Sequence, residues 1–193
     1  GPAHTLLSFG FQTGDGVEYV AISAEIRKEE GESFSPIRGL FRQYEFMYVV
    51  GTEQDLIGLR TNFREDDVYL YPVKTTKEKM QELFLALADS VNAVFDEPEF
   101  YNTITNNCTT AIRNHVNDVS EGRIPWSFSV LLPAHSDKDA LKLGLVDTDL
   151  PLEEAREYFY ITDLAQLAEI DALFSTRIRF KRNQAIQLAP LLQ

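Results

Sequence analysis

Tyr101-Asn-Thr-Ile-Thr-Asn-Asn-Cys108-Thr-Thr-Ala-Ile-Arg-Asn-His115 holds the only cysteine of the 193-residue chain, and its place after a run of strands decides the fold class. Asn106, Asn107, Thr109 and Thr110 form a polar collar around the sulfur. The spacing predicts a helix over 107–119, with Gly122 and Pro125 marking its exit. A thiol in the first helical turn faces unpaired N–H groups and the positive end of the dipole, which lowers its pKa. A lone cysteine in a soluble chain is more often a small buried hydrophobe. The polar neighbours favour a reactive thiol and the count favours a core one, so both roles stay open.

Upstream of this helix the pattern is strand-like. Residues 4–11 carry aromatic and aliphatic side chains, and residues 17–26 alternate, with Gly14-Asp-Gly16 as the turn of a hairpin. Further strands are expected over 41–50 and 66–71, the latter closed by Pro72, with a short helix or turn over 56–60 between them. Residues 27–35 are charged and turn-like. Thr75 and Glu78 form a capping-box signal that opens a helix running to about residue 95. Leu83, Phe84, Leu87, Val91 and Phe95 lie on one stripe at helical spacing, which is core packing. Beyond the cysteine, an extended segment is expected over 127–132 and helices over 137–143, 152–158 and 163–174, followed by a locally basic tail over 177–182. Strands, a long helix and then the cysteine helix make an α+β fold, a largely antiparallel sheet packed against helices.

Thirty acidic residues against eighteen basic ones give a net charge of −12, which argues against a nucleic-acid partner. One cysteine permits no internal disulfide. Gly1-Pro2 reads as the scar of a cleaved fusion. No apolar run is long enough to span a bilayer. No HExxH, CxxC, GxGxxG or Walker pattern occurs, so no metal or other cofactor is expected.

A catalytic thiol needs a base, and the chain has three histidines. His115 lies two helical turns from Cys108, about 10 Å along the axis, and cannot touch the sulfur. His135 sits in a loop-like segment, a poor holder for a base. His4 stands at the start of a strand, where a helix N-terminus packing on the sheet would meet it, and it ranks first. The neighbouring strand offers Ser23 and Glu25 on one face to orient it. For Glu25 the competing reading is an ion pair with Arg27 or Arg42.

Several blocks in order resemble a known family. His4-Thr-Leu-Leu-Ser-Phe9, residues 23–35, Arg38-Gly-Leu-Phe-Arg-Gln-Tyr-Glu45, Asp67-Val-Tyr-Leu-Tyr-Pro72 and residues 100–110 are similar to the bacterial Lnb N-terminal periplasmic domain family, also called DUF4105. Arg123-Ile-Pro125, Leu131-Leu-Pro133, Ser136-Asp137 and Leu143-Gly-Leu145 continue the likeness. It covers roughly residues 3–160 as a catalytic domain and leaves 161–193 as a C-terminal helical or extended arm. The resemblance implies a periplasmic cysteine acyltransferase, associated with N-acylation of bacterial lipoproteins, with a permuted papain-like (NlpC/P60-type) fold. It implies Cys108 as nucleophile, His4 as base and Glu25 as the third residue. It further suggests Asn107 and Asn106 at the oxyanion, Tyr101 lining the site, and Arg38 and Arg42 holding a head-group phosphate. The implied partner is a phospholipid or lipoprotein at a membrane surface, with membrane association in the full-length protein. Two other readings stand beside it: a cysteine peptidase or amidase acting on cell-wall peptide, and a non-catalytic periplasmic binding module.

Overall fold

The computed structural model describes residues 3–120, 124–125, 135–167 and 173–181. The extended segment expected over 127–132 lies outside them. The chain forms two compact units, the first from Gly1–Leu7, Ile22–Val50 and Val73–Val146, the second from Ser8–Ala21, Gly51–Pro72 and Asp147–Gln193. The fold is α+β. Strands β1 (Leu6–Thr13), β2 (Gly16–Arg27) and β3 (Glu45–Thr52) form one antiparallel sheet in the order β1-β2-β3. Gly16, at φ 140°, makes the hairpin turn, and its carbonyl accepts from Thr13 Oγ1 and Gln12 Nε2. That backbone angle is open to glycine and strained for other residues.

β3 starts four residues later than its hydrophobic pattern suggested, because a short helix precedes it. Ser35 caps α1 (Pro36–Leu40) by accepting from the Arg38 N–H, and Pro36 supplies the first helical residue. Arg42 then takes a left-handed conformation, φ 53°, that ends the turn. Only after it does Tyr44 enter the core, its hydroxyl donating to Ser33 O and accepting from the Ser35 N–H. The Ser-Pro pair was the available signal for this helix.

In the first unit, α3 (Lys77–Asp96) packs on α4 (Cys108–Val119). Thr76, one residue beyond the expected cap, accepts from the Lys79 N–H. Leu83 and Leu87 of the expected stripe are buried, but Phe95 is 87% exposed and Val94 packs on the core instead. Three turns of about 3.6 residues each carry the buried face from Leu83 to position 94 rather than 95. The core gathers Ala24, Tyr44, Phe46, Tyr101, Ala111 and Cys108 itself. A short helix, α5 (Ser136–Lys142), belongs to the same unit.

The second unit holds α2 (Glu53–Gly58), a π-helical turn (Leu59–Phe63), α6 (Leu152–Phe159), α7 (Thr162–Leu167) and α8 (Phe174–Arg177). Of the helix expected over 163–174, residues 163–167 lie in α7 and Phe174 begins α8, while residues 168–172 lie outside the description. Residues 66–71 are not a sheet strand. They pair with the short link between α6 and α7, through Leu70 N–H to Phe159 O and Ile161 N–H to Val68 O. A link of so few residues offers only an isolated bridge, Tyr69 to Tyr160.

Glu53 is fully buried, held by both terminal nitrogens of Arg179 and by the Ser8 hydroxyl. Arg179 also lies 3.7 Å over the Tyr19 ring. Breaking a buried pair leaves an uncompensated charge, worth about 3–5 kcal/mol, whereas replacing both partners with apolar groups is often near neutral. Arg179→Met is therefore expected to lower stability to urea by about 3–5 kcal/mol, and Glu53→Met/Arg179→Met to recover most of the loss.

Candidate active site

Asn107 builds the start of α4. Its Oδ1 accepts from the Thr109 and Thr110 N–H groups, both at 2.9 Å, while Thr110 Oγ1 returns a 2.7 Å bond from the Asn107 N–H. Asn107 Nδ2 donates to Thr103 O at 2.7 Å, tying the preceding loop to the helix. The side chain expected at an oxyanion is thus committed to the cap. The Cys108 N–H, the first of the helix, has no acceptor among the described residues. Asn106 is turned elsewhere, donating to Glu99 and to Phe100 O.

Cys108 is 6% exposed, so the core reading of the lone cysteine is correct as to burial. It is not inert. His4, two residues before β1, lies beside the thiol and favours its charged form. Its Nε2 meets Ser23 Oγ at 2.5 Å and Glu25 Oε1 at 3.1 Å, and the Ser23 hydroxyl donates to Glu25 Oε1 at 2.9 Å. With Nε2 engaged there, Nδ1 is the nitrogen left for the sulfur. The expected pairing of Glu25 with Arg27 or Arg42 does not occur: Arg27 pairs with Glu45. Alternation along β2 places Ser23 and Glu25 together, and the structure adds that Ser23 is 2% exposed and touches both the imidazole and the carboxylate.

Burial pushes the Cys108 thiol up, but the His4 hydrogen bond and charge, with the Thr5 N–H and hydroxyl, outweigh it and bring the pKa down to about 7. His4 is raised from its ordinary value. Burial opposes its charge, while bonds to Cys108 and Glu25 favour it more. Each group thus favours the charged form of the other. Thr5 and Thr109, whose hydroxyls lie 3.0 Å apart, sit beside the sulfur. Sequence reading put Thr109 in the collar but overlooked Thr5, although it adjoins His4.

Tyr101 is buried, packed edge-on against Phe34 at 6.2 Å. Burial, with the charges of Cys108 and Glu25, pushes its phenol up, so it stays protonated. His115 is bound to the Tyr48 hydroxyl at 3.3 Å and His135 is an exposed residue before α5, so neither serves the thiol. Arg38 is engaged by Glu32, Gln43 and the Tyr44 ring. The Arg42 side chain has no hydrogen bond or ion pair among the described residues. No described helix is long and apolar enough to cross a membrane.

Residues 2–135 match the model of the Lnb N-terminal periplasmic domain, and the chain belongs to that family. No curated protein and no solved structure matches the chain.

The electrostatics are open to direct measurement. The rate of Cys108 alkylation by iodoacetamide is expected to rise with a midpoint near pH 7. In His4→Ala the burial effect remains with only the Thr5 contacts opposing it, so the midpoint should move up from about 7. An unmoved midpoint in that variant would contradict the pairing.

Proposed function

We propose that this Lnb-family domain is a periplasmic cysteine acyltransferase that carries an acyl chain as a thioester on Cys108 and passes it to an amine, in the manner of bacterial lipoprotein N-acylation. The observation that carries the reading is the His4–Cys108 pair, with a thiol pulled to about 7 inside a largely buried site. A strand-side histidine preceding a helix-start cysteine in the chain is also the order expected of a permuted papain-like enzyme.

The Cys108 thiolate attacks the ester carbonyl of a phospholipid or lipoprotein donor. In this reading the developing oxyanion is stabilised by the Cys108 N–H and the Tyr101 hydroxyl. The carbon–oxygen ester bond breaks, and His4 gives its proton to the departing alcohol. The acceptor amine, losing a proton to His4, then attacks the thioester and releases the thiolate. Ser23 and Glu25 hold the imidazole with Nε2 protonated, which leaves Nδ1 to exchange protons at the sulfur. Burial favours transfer over hydrolysis because it limits water at the thioester.

The test is acyl transfer from a radiolabelled phospholipid to a diacylglyceryl-cysteine peptide, read as N-acylated product. Cys108→Ala should abolish it. His4→Ala should reduce it roughly 10²- to 10⁴-fold, and Ser23→Ala should reduce it less. Asn106→Ala should leave it within about twofold, because Asn106 faces Glu99. Cleavage of a cell-wall peptide with no N-acylated product would assign the same dyad to a peptidase.

A further inference from the structure

Thr109 stands in the polar collar of Cys108 but takes no part in the proposed acyl transfer. Its Oγ1 lies 3.9 Å from the Cys108 sulfur and 3.0 Å from Thr5 Oγ1. Thr109 is 9% exposed and Thr5 is half-buried. Both are placed by backbone structure. The Asn107 cap accepts the Thr109 N–H at 2.9 Å, and Thr5 sits between His4 and the first residue of β1. The bond between the two hydroxyls therefore joins the strand start that carries the base to the helix start that carries the thiol.

Two hydroxyls carry two hydrogens. The bond between them uses one, whichever way it runs, and leaves the other to be donated. Apart from each other and the sulfur, neither hydroxyl has a hydrogen-bond partner among the described residues. The spare hydrogen is thus available to Cys108. What it gains there depends on the charge of the sulfur. A thiol or thioester sulfur is a weak acceptor, whereas a thiolate takes a charge-assisted bond about twice as strong. The titratable groups around the sulfur are His4, Glu25 and Tyr101, and none of them bonds either hydroxyl among the described residues. The Thr5 N–H and hydroxyl, after His4, are among the groups that lower the thiol pKa.

We infer that the Thr5–Thr109 hydroxyl pair speeds release of the acyl group from Cys108, by donating to the sulfur as it leaves the carbonyl carbon. The inference rests on the acyl-transfer reading and assigns a task within its second half. When the acceptor amine attacks, the carbon–nitrogen bond forms, the carbon–sulfur bond breaks and its electron pair stays on the sulfur, while the amine proton passes to His4. The sulfur is neutral in the thioester and anionic after departure, so the donated hydrogen gains strength along that path. In the first half the same bond weakens, since the sulfur loses its charge as it attacks. The pair thus favours turnover of the acyl-enzyme over its accumulation.

The experiment loads the full chain with p-nitrophenyl butyrate, an activated ester that acylates a thiol whatever its natural substrate. Loss of the hydroxylamine-labile adduct to an added primary amine is followed by intact mass, and the thiol is titrated by the ultraviolet absorbance of its thiolate. Thr5→Val/Thr109→Val replaces both hydroxyls with groups of nearly the same shape, a change close to neutral for folding. The thiol midpoint should rise from about 7 by about one pH unit. Release to the amine should slow roughly three- to tenfold. Loading well above both midpoints should be unchanged or faster, because a more basic thiolate is the better nucleophile. Thr5→Ser/Thr109→Ser keeps both hydroxyls and should behave as the native chain, and Thr109→Val, with one hydroxyl left, should fall between. An unmoved midpoint, unslowed release, or a serine pair as impaired as the valine pair would overturn the inference. These shifts in a chain that makes no N-acylated product from phospholipid would sink the acyl-transfer reading and leave the donor pair standing.

Discussion

The cap that Asn107 places on α4 is the constraint from which the site follows. One side chain accepts two helix N–H groups and anchors the preceding loop through Thr103. Its commitment leaves the Cys108 N–H as the helix's first donor without an acceptor among the described residues, on the residue that carries the thiol. The cap also fixes where the sulfur stands, inside a core made with Ala24, Phe46 and Tyr101. Reactivity and burial, which would ordinarily oppose one another, are met at one position because the donors arrive with the backbone.

Desolvation is the largest single influence on Cys108 and acts against the thiolate, yet the pKa falls from 9.0 to about 7. Relative to a free thiol, the surrounding groups therefore give a net preference for the charged form despite burial. His4 and Thr5, adjacent in the chain, supply that preference from one short segment. Ser23 and Glu25 hold the imidazole from the next strand, two residues apart on one face. Few residues are involved, and strand and helix periodicity bring them together.

Much of this was legible in the sequence for the same reason. Period-two alternation put Ser23 with Glu25, and helical rise removed His115 as a base, which the structure places against Tyr48. The collar around Cys108 announced a helix start. Less readable was how each polar group is spent. Asn106 and Asn107 have identical side chains in adjacent positions, yet one caps the helix and the other binds Glu99, a division set by the loop path. The strand expected over 66–71 failed because alternation reports an extended, half-buried backbone but not whether a long enough partner lies alongside. Phe41 has the hydrophobicity of a core strand residue, but the Ser35-Pro36 start of α1 makes it the exposed end of a helix.

The proposed mechanism turns on Cys108 accepting an acyl group. Intact-mass spectrometry of the domain after incubation with a phospholipid of single chain length tests it most directly, since the chain has one cysteine. The expected result is a mass increase of one acyl group, removed by hydroxylamine and absent in Cys108→Ala. An unmodified mass under conditions where N-acylated product accumulates, or an adduct that persists in Cys108→Ala, would contradict it.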